Sequence, residues 1–121
     1  MNLKIMGKCI SKDNEKVVNK QGRFFLSSKF KDYAKDVVFQ ALIQIKGMSP
    51  LIGDLSVEAI FVMSDKRHAD LTNLPKGIFD ALNGIAWEDD RQIKKCQLLI
   101  IYGKTPRVLL NIAKLEQSNG T

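Results

Sequence analysis

Asp70-Leu71-Thr72-Asn73-Leu74-Pro75-Lys76-Gly77-Ile78-Phe79-Asp80-Ala81-Leu82-Asn83-Gly84-Ile85-Ala86-Trp87-Glu88-Asp89-Asp90-Arg91-Gln92 is the stretch on which the reading of this chain turns. It holds five acidic residues, two asparagines and Lys76 within one short helix and the turn beyond it. On a helix of about 100° per residue, positions 73–83 separate into two faces. Leu74, Ile78, Ala81 and Leu82 form an apolar stripe, which Leu71 and Ile85 extend. Asn73, Lys76, Asp80 and Asn83 share a polar arc of about 80°. Pro75 is tolerated because first-turn amides have no partner within the helix. Thr72 is the expected N-cap, which sets Asp70 just outside the helix N-terminus. Free N–H groups and the positive end of the dipole favour an anion there, either the carboxylate or a nucleic-acid phosphate.

Beyond the helix, Glu88-Asp89-Asp90 repel one another unless they are solvated or neutralised by a cation. Magnesium beside a phosphate is usually held by one or two carboxylates and several waters. The expected helix is about 16 Å long, and the segment from Gly84 to Asp90 can reach about 23 Å. The chain can therefore return Asp89 or Asp90 towards Asp70. The competing reading is an ordinary amphipathic helix followed by a solvated acidic turn. His68 reads as an exposed turn histidine, and Trp87 as the core anchor of its loop.

The rest of the chain is consistent with a polyanionic partner. Of its 121 residues, positions 1–35 carry nine Lys/Arg against three Asp/Glu, whereas 36–121 carry ten of each. The entire surplus of +6 thus lies at the front, apart from most carboxylates. Basic residues embracing phosphates and a separate acidic cluster holding a metal would use that layout. A basic surface that merely keeps the protein soluble would show it too. Cys9 and Cys96 lack metal-ligand spacing and lie in apolar stretches expected to be strands, which predicts buried free thiols in a reducing compartment. No segment reaches the roughly 18 apolar residues of a membrane span. Met1 to Ile5 enter alternating structure without a secretory core, so a cytoplasmic location is expected.

In order, Leu3 to Cys9 predict a first strand, and 11–23 a long basic loop or loose hairpin. Ser27 or Ser28 caps a helix whose stripe is Phe30, Tyr33, Ala34, Val37, Val38, Ala41, Leu42 and Ile45, ended by Gly47. Leu55 to Met63 alternate as a strand. Lys66, Arg67 and His68 fall in a charged turn before the second helix. Cys96 to Tyr102 and Arg107 to Leu115 are two further strands joined by Gly103-Lys104-Thr105-Pro106 as a short hairpin turn. Residues 116–121 are expected to be frayed. The prediction is one α+β domain spanning 1–121, with a mixed sheet and two main helices packed against it.

Three runs of residues carry a family resemblance. Asp70-Leu71-Thr72-Asn73-Leu74-x-Lys76, Asp80-Ala81-Leu82-Asn83-Gly84 and Trp87-x-Asp89-Asp90-x-Gln92-Ile93 resemble the RusA-type crossover junction endodeoxyribonucleases, small resolvases often carried by prophages. The family pattern is approximately Asp-x-Asp-Asn-x-x-Lys, a helix with Asp-x-Leu, then Asp-Asp-x-Gln. The first 50 residues match it only loosely, lacking the Pro-rich turn that often follows the first strand.

The resemblance implies a homodimer that binds four-way (Holliday) DNA junctions and cuts two opposing strands symmetrically, using Mg2+, or Mn2+ in its place. By motif position Asp70 and Asp90 become catalytic metal-binding carboxylates, Asp89 a further metal-binding acid, and Lys76 the cation near the scissile phosphate. Thr72, Asn73 and Asp80 fall on supporting positions. Lys8, Lys12, Lys16, Lys20, Arg23, Lys29, Lys31, Lys66 and Arg67 are the expected DNA contacts. One departure stands out: Thr72 occupies the place of the pattern's second Asp, removing a strong ligand and a negative charge. Glu88 and Asp89 are the acids placed to compensate. The rival expectations are a non-catalytic nucleic-acid-binding module and a phage protein-interaction factor.

Overall fold

The computed structural model describes residues 1–11, 16–66 and 70–116, with backbone alone for positions 16, 17 and 24–26. Its elements run β1 (Asn2–Met6), β2 (Lys16–Val18), β3 (Phe24–Leu26), α1 (Ser28–Gln44), β4 (Leu55–Met63), α2 (Leu74–Ala81), a 3-10 turn (Asp90–Gln92), β5 (Ile93–Tyr102) and β6 (Arg107–Lys114). Four strands form one sheet in the order β1-β6-β4-β5, so β5 and β6 do not form the expected hairpin but lie on either side of β4. β6 is antiparallel to both β1 and β4, whereas β4 and β5 are parallel. Parallel strands need a crossover connection, and α2 supplies it. The architecture is the expected α+β domain with a mixed sheet and two helices.

Alternation builds the core. Leu55, Val57, Ala59, Phe61 and Met63 of β4 point to one face, joined by Leu3 and Ile5 of β1 and by Val108, Leu110 and Ile112 of β6. Phe30, Tyr33, Val37, Ala41 and Ile45 of the first helical segment cover that face, with Leu74, Ile78 and Leu82 from around α2. Burying each such aliphatic side chain contributes about 1.5–3 kcal/mol before chain entropy is counted. Ser27 caps α1 by accepting from the Phe30 amide at 3.2 Å.

One detail sets the roll of α1. β1 is an edge strand, and its outward N–H and C=O groups are met by glutamine side chains. Lys4 N donates to Gln44 Oε1 at 2.8 Å, and Gln44 Nε2 donates back to Lys4 O at 2.7 Å. Met6 and Gln40 repeat the arrangement at 2.7 and 2.9 Å. Two amides one helical turn apart thus stand in for a neighbouring strand, which blunts an otherwise sticky edge.

Several expectations need correction. Leu42 is not on the buried stripe but 54% exposed, beside exposed Phe39 and Ile43. It lies about 100° around the helix from Ala41, on the side away from Gln40 and Gln44. Cys9 is buried but lies past the end of β1. Cys96 is in a strand but exposed, because β5 is the outermost strand and only Ile93, Leu98 and Ile100 of it pack on the core. Of the two readings of 11–23, long loop or loose hairpin, the hairpin is the one found among the described residues. β2 within it pairs antiparallel with β3, and Asn19 Oδ1 closes the turn by accepting from the Gln21 and Arg23 amides at 3.0 and 2.9 Å. The expected fraying of 116–121 falls, beyond Glu116, outside the described residues. Among the described residues no helix is long and apolar enough to cross a membrane.

Candidate active site

The acidic turn is built from the end of α2. Leu82 closes the helix, and Gly84 takes a φ of +80°, a left-handed conformation that costs glycine little. The chain reverses there, with Gly84 N donating to Trp87 O at 2.7 Å. Trp87 is fully buried and meets Phe79 edge-on, with ring centroids 5.6 Å apart. Asn83 Oδ1 accepts from Trp87 Nε1 at 2.9 Å and from the Asp90 amide at 2.8 Å. Asn83 Nδ2 points the other way, 3.4 Å from Asp80 Oδ1.

A second amide fastens the turn from outside. Gln92 Oε1 accepts from the Glu88 and Asp89 amides at 2.8 and 2.9 Å. Its Nε2 donates to Leu51 O and Gly53 O, tying the turn to the segment before β4. Asp89 completes a capping box on the 3-10 turn, accepting from the Arg91 amide at 2.9 Å.

These contacts give the adjacent acids different characters. The Arg91 amide and guanidinium, the latter 3.3 Å away, hold the Asp89 carboxyl below its ordinary value. Partial burial, then hydrogen bonding with Asp89 and the negative charges of Asp89 and Asp80, push the Asp90 carboxyl upward, against a small opposing pull from Arg91. One oxygen of Asp89 is committed to the turn. Asp90 is a carboxylate whose surroundings disfavour its charge, a pattern common where a cation or proton is to be received.

The other expected residues lie before and along α2. Asp70 precedes α2, its carbonyl accepting from the Asn73 amide at 2.9 Å. Asp80 sits in the last turn of α2. Asn73, not Thr72, is the N-cap, and its side chain makes no capping bond; Thr72 is exposed in the preceding turn. The Asn73 carbonyl instead receives a long 3.5 Å contact from buried Ser11, and the Leu74 carbonyl receives the Cys9 thiol at 3.6 Å. Lys76 is exposed on α2.

Among the described residues, no three His, Cys, Asp or Glu side chains converge closely enough to hold a metal ion. What comes together is Asp80, Asn83, Asp89 and Asp90. Their donor chemistry, hard carboxylate oxygen with room for water and phosphate, still suits Mg2+, which seldom takes an all-protein cage.

Of the expected DNA contacts, Lys20 and Arg23 lie exposed at the β2–β3 turn, and Lys29 and Lys31 in the first turns of α1. Lys8 pairs with Asp65 at 3.8 Å, and Lys66 lies 5.9 Å from the Tyr102 ring centroid. Lys12, Arg67 and the Lys16 side chain fall outside the described residues, as does His68. Reading the sequence overlooked Asn83 and Gln92 as organisers of the turn. Both were visible as polar residues flanking the acids, but reciprocal bonding to backbone amides leaves no periodic trace.

Comparison with curated proteins finds no match. A family model described as endodeoxyribonuclease RusA matches residues 7–113, a span containing both helices, the acidic turn and all of strands β4 and β5. That family implies endonuclease action on Holliday junctions, and a segment of such length establishes membership. The chain belongs to the RusA endodeoxyribonuclease family.

Proposed function

We propose that this protein resolves four-way DNA junctions by metal-dependent hydrolysis of paired, symmetric phosphodiesters, acting as a homodimer. The observation that carries the reading is the fastening of the acidic turn. Asn83 holds the Asp90 backbone beside Asp80, and Gln92 locks Glu88 and Asp89 to the body of the domain. A turn that served only to solubilise the surface would need neither clamp.

In this reading Asp70 and Asp90, with Asp89 in support, hold Mg2+, for which Mn2+ can substitute. When bound, the cation supplies Lewis acidity to the scissile phosphate and to the attacking water. Lys76, exposed on the polar face of α2, stabilises charge that develops on the phosphate and departing oxygen. Asp80, Asn73 and Thr72 shape the polar surround. Lys8, Lys20, Arg23, Lys29 and Lys31 grip the DNA arms, together with Lys12, Lys16, Lys66 and Arg67. Two-fold symmetry of the dimer matches that of the junction and pairs the nicks. A DNA substrate places the protein in the cytoplasm, and a prophage is the proposed source.

One observation favours a second reading, a junction-binding protein without catalysis: Thr72 replaces an acid of the family pattern. A labelled synthetic four-way junction beside linear duplex, with and without Mg2+, separates the two. Resolution yields paired nicks in the junction with Mg2+ only. Binding without nicks at any Mg2+ or Mn2+ concentration establishes the non-catalytic alternative.

A further inference from the structure

We infer that Asn83 is a positioning residue for the nuclease site, its side-chain carbonyl setting the backbone of Asp90 and thereby the direction of the Asp90 carboxylate. The inference rests on the reading of Asp90 as a metal-binding acid. Both lone pairs of Asn83 Oδ1 are used, by Trp87 Nε1 at 2.9 Å and Asp90 N at 2.8 Å. Its Nδ2 faces Asp80 Oδ1 at 3.4 Å. Donors on one side and a carboxylate on the other leave the amide a single orientation.

Trp87 is fully buried and packed edge-on against Phe79, so it is an immobile donor. Asn83 also binds the Asp90 amide directly, seven positions further along the chain. Anchoring the indole alone would need only one acceptor. The contact with Asp90 and the approach to Asp80 place both ends of the amide on acids of the proposed site. Ligand groups held this way keep the narrow tolerance, about 0.5 Å, that productive geometry requires.

The test compares Asn83→Ala, Asn83→Asp and Trp87→Phe with the wild type, by calorimetric titration of metal-free protein with Mn2+ and by single-turnover cutting of a four-way junction. Trp87→Phe removes the indole bond but leaves the Asp90 bond, and so isolates the structural share. Asn83→Asp keeps both accepted bonds. Asn83→Ala is expected to weaken Mn2+ binding about tenfold or more, in the range seen when groups behind metal ligands are lost. Its cutting should fall alongside, with metal-free junction binding unchanged.

Trp87→Phe is expected to lower thermal stability yet stay near wild type in Mn2+ affinity, and Asn83→Asp to retain Mn2+ binding. The inference is overturned if Asn83→Ala binds Mn2+ like the wild type. It is equally overturned if Asn83→Asp loses Mn2+ as Asn83→Ala does, or if all variants lose affinity in proportion to stability. A wild-type chain that binds Mn2+ but cuts no junction defeats the nuclease reading alone. One that binds no Mn2+ defeats both.

Discussion

Gln92 Nε2 lies 2.9 Å from the Leu51 carbonyl, 41 positions away in sequence, so that one side chain joins the acidic turn to the loop that leads into β4. Its four hydrogen bonds go entirely to backbone groups at the turn and at Leu51 and Gly53. Gln92→Ala strips partners from amides and carbonyls that cannot all recover water, at a cost of about 2–4 kcal/mol. Urea denaturation should show that loss. Gln92→Glu keeps the two accepted bonds and should lie between alanine and wild type.

The glutamine pair on α1 makes a separate prediction. Replacing Gln40 and Gln44 with alanine uncovers the Lys4 and Met6 backbone groups. Because the contacts are solvent-exposed, the expected loss is modest, about 1–2 kcal/mol for the pair. The larger consequence is an open strand edge. Light scattering on warming should rise earlier than for a variant such as Leu42→Ala, which is on the exposed side of the same helix but guards no edge.

Alkaline pH should destabilise the core at Cys9. Burial raises its thiol to about 11 from 9.0, and burial followed by the Cys9 thiol raises the Tyr33 hydroxyl as well. The Cys9 thiol spends its donor on Leu74 O, and among the described residues the buried Tyr33 hydroxyl finds no partner at hydrogen-bonding geometry. An acid raised on folding stabilises fully below its unfolded value and loses that contribution as pH climbs through the folded one. Between pH 9 and 11 the Cys9 share, of order 2–3 kcal/mol, should disappear. Cys9→Ala should flatten that part of the curve of melting temperature against pH. At pH 8 a thiol reagent should label Cys96 in the native protein and Cys9 only after unfolding.

Much of the fold was legible because its signals are local or periodic. The β4 alternation and the Ser27 cap need only neighbouring residues, and both appear where the sequence places them. Leu42 was misplaced because helical periodicity defines a stripe but not the roll of the helix, which Gln40 and Gln44 set through β1. Thr72 was misjudged as the cap because the turn from Asp70 to Asn73 closes through backbone atoms, which carry no residue preference strong enough to see. The acids of the candidate site were legible as a motif. Their division into an Asp89 bound to its own turn and an Asp90 left strained was not, since it depends on Arg91, Asn83 and Asp80 in three dimensions.

A carboxylate kept where its charge is disfavoured should burden stability. Asp90→Asn retains the amide that Asn83 grips but removes repulsion from Asp80 and Asp89. After allowance for solvent screening, melting temperature should rise by about 1–3 °C. A fall would show that Asp90 supports the fold instead of serving a site.

The most direct measurement is the single-turnover rate of four-way junction cutting in Mg2+ by Asp70→Asn and Asp90→Asn, alongside metal-free junction binding by the same proteins. Loss of cutting by at least about a thousandfold in both, with binding retained or tightened as repulsion of phosphate is relieved, is the expected result. Cutting at the wild-type rate by either variant would contradict the assignment of that carboxylate to catalysis.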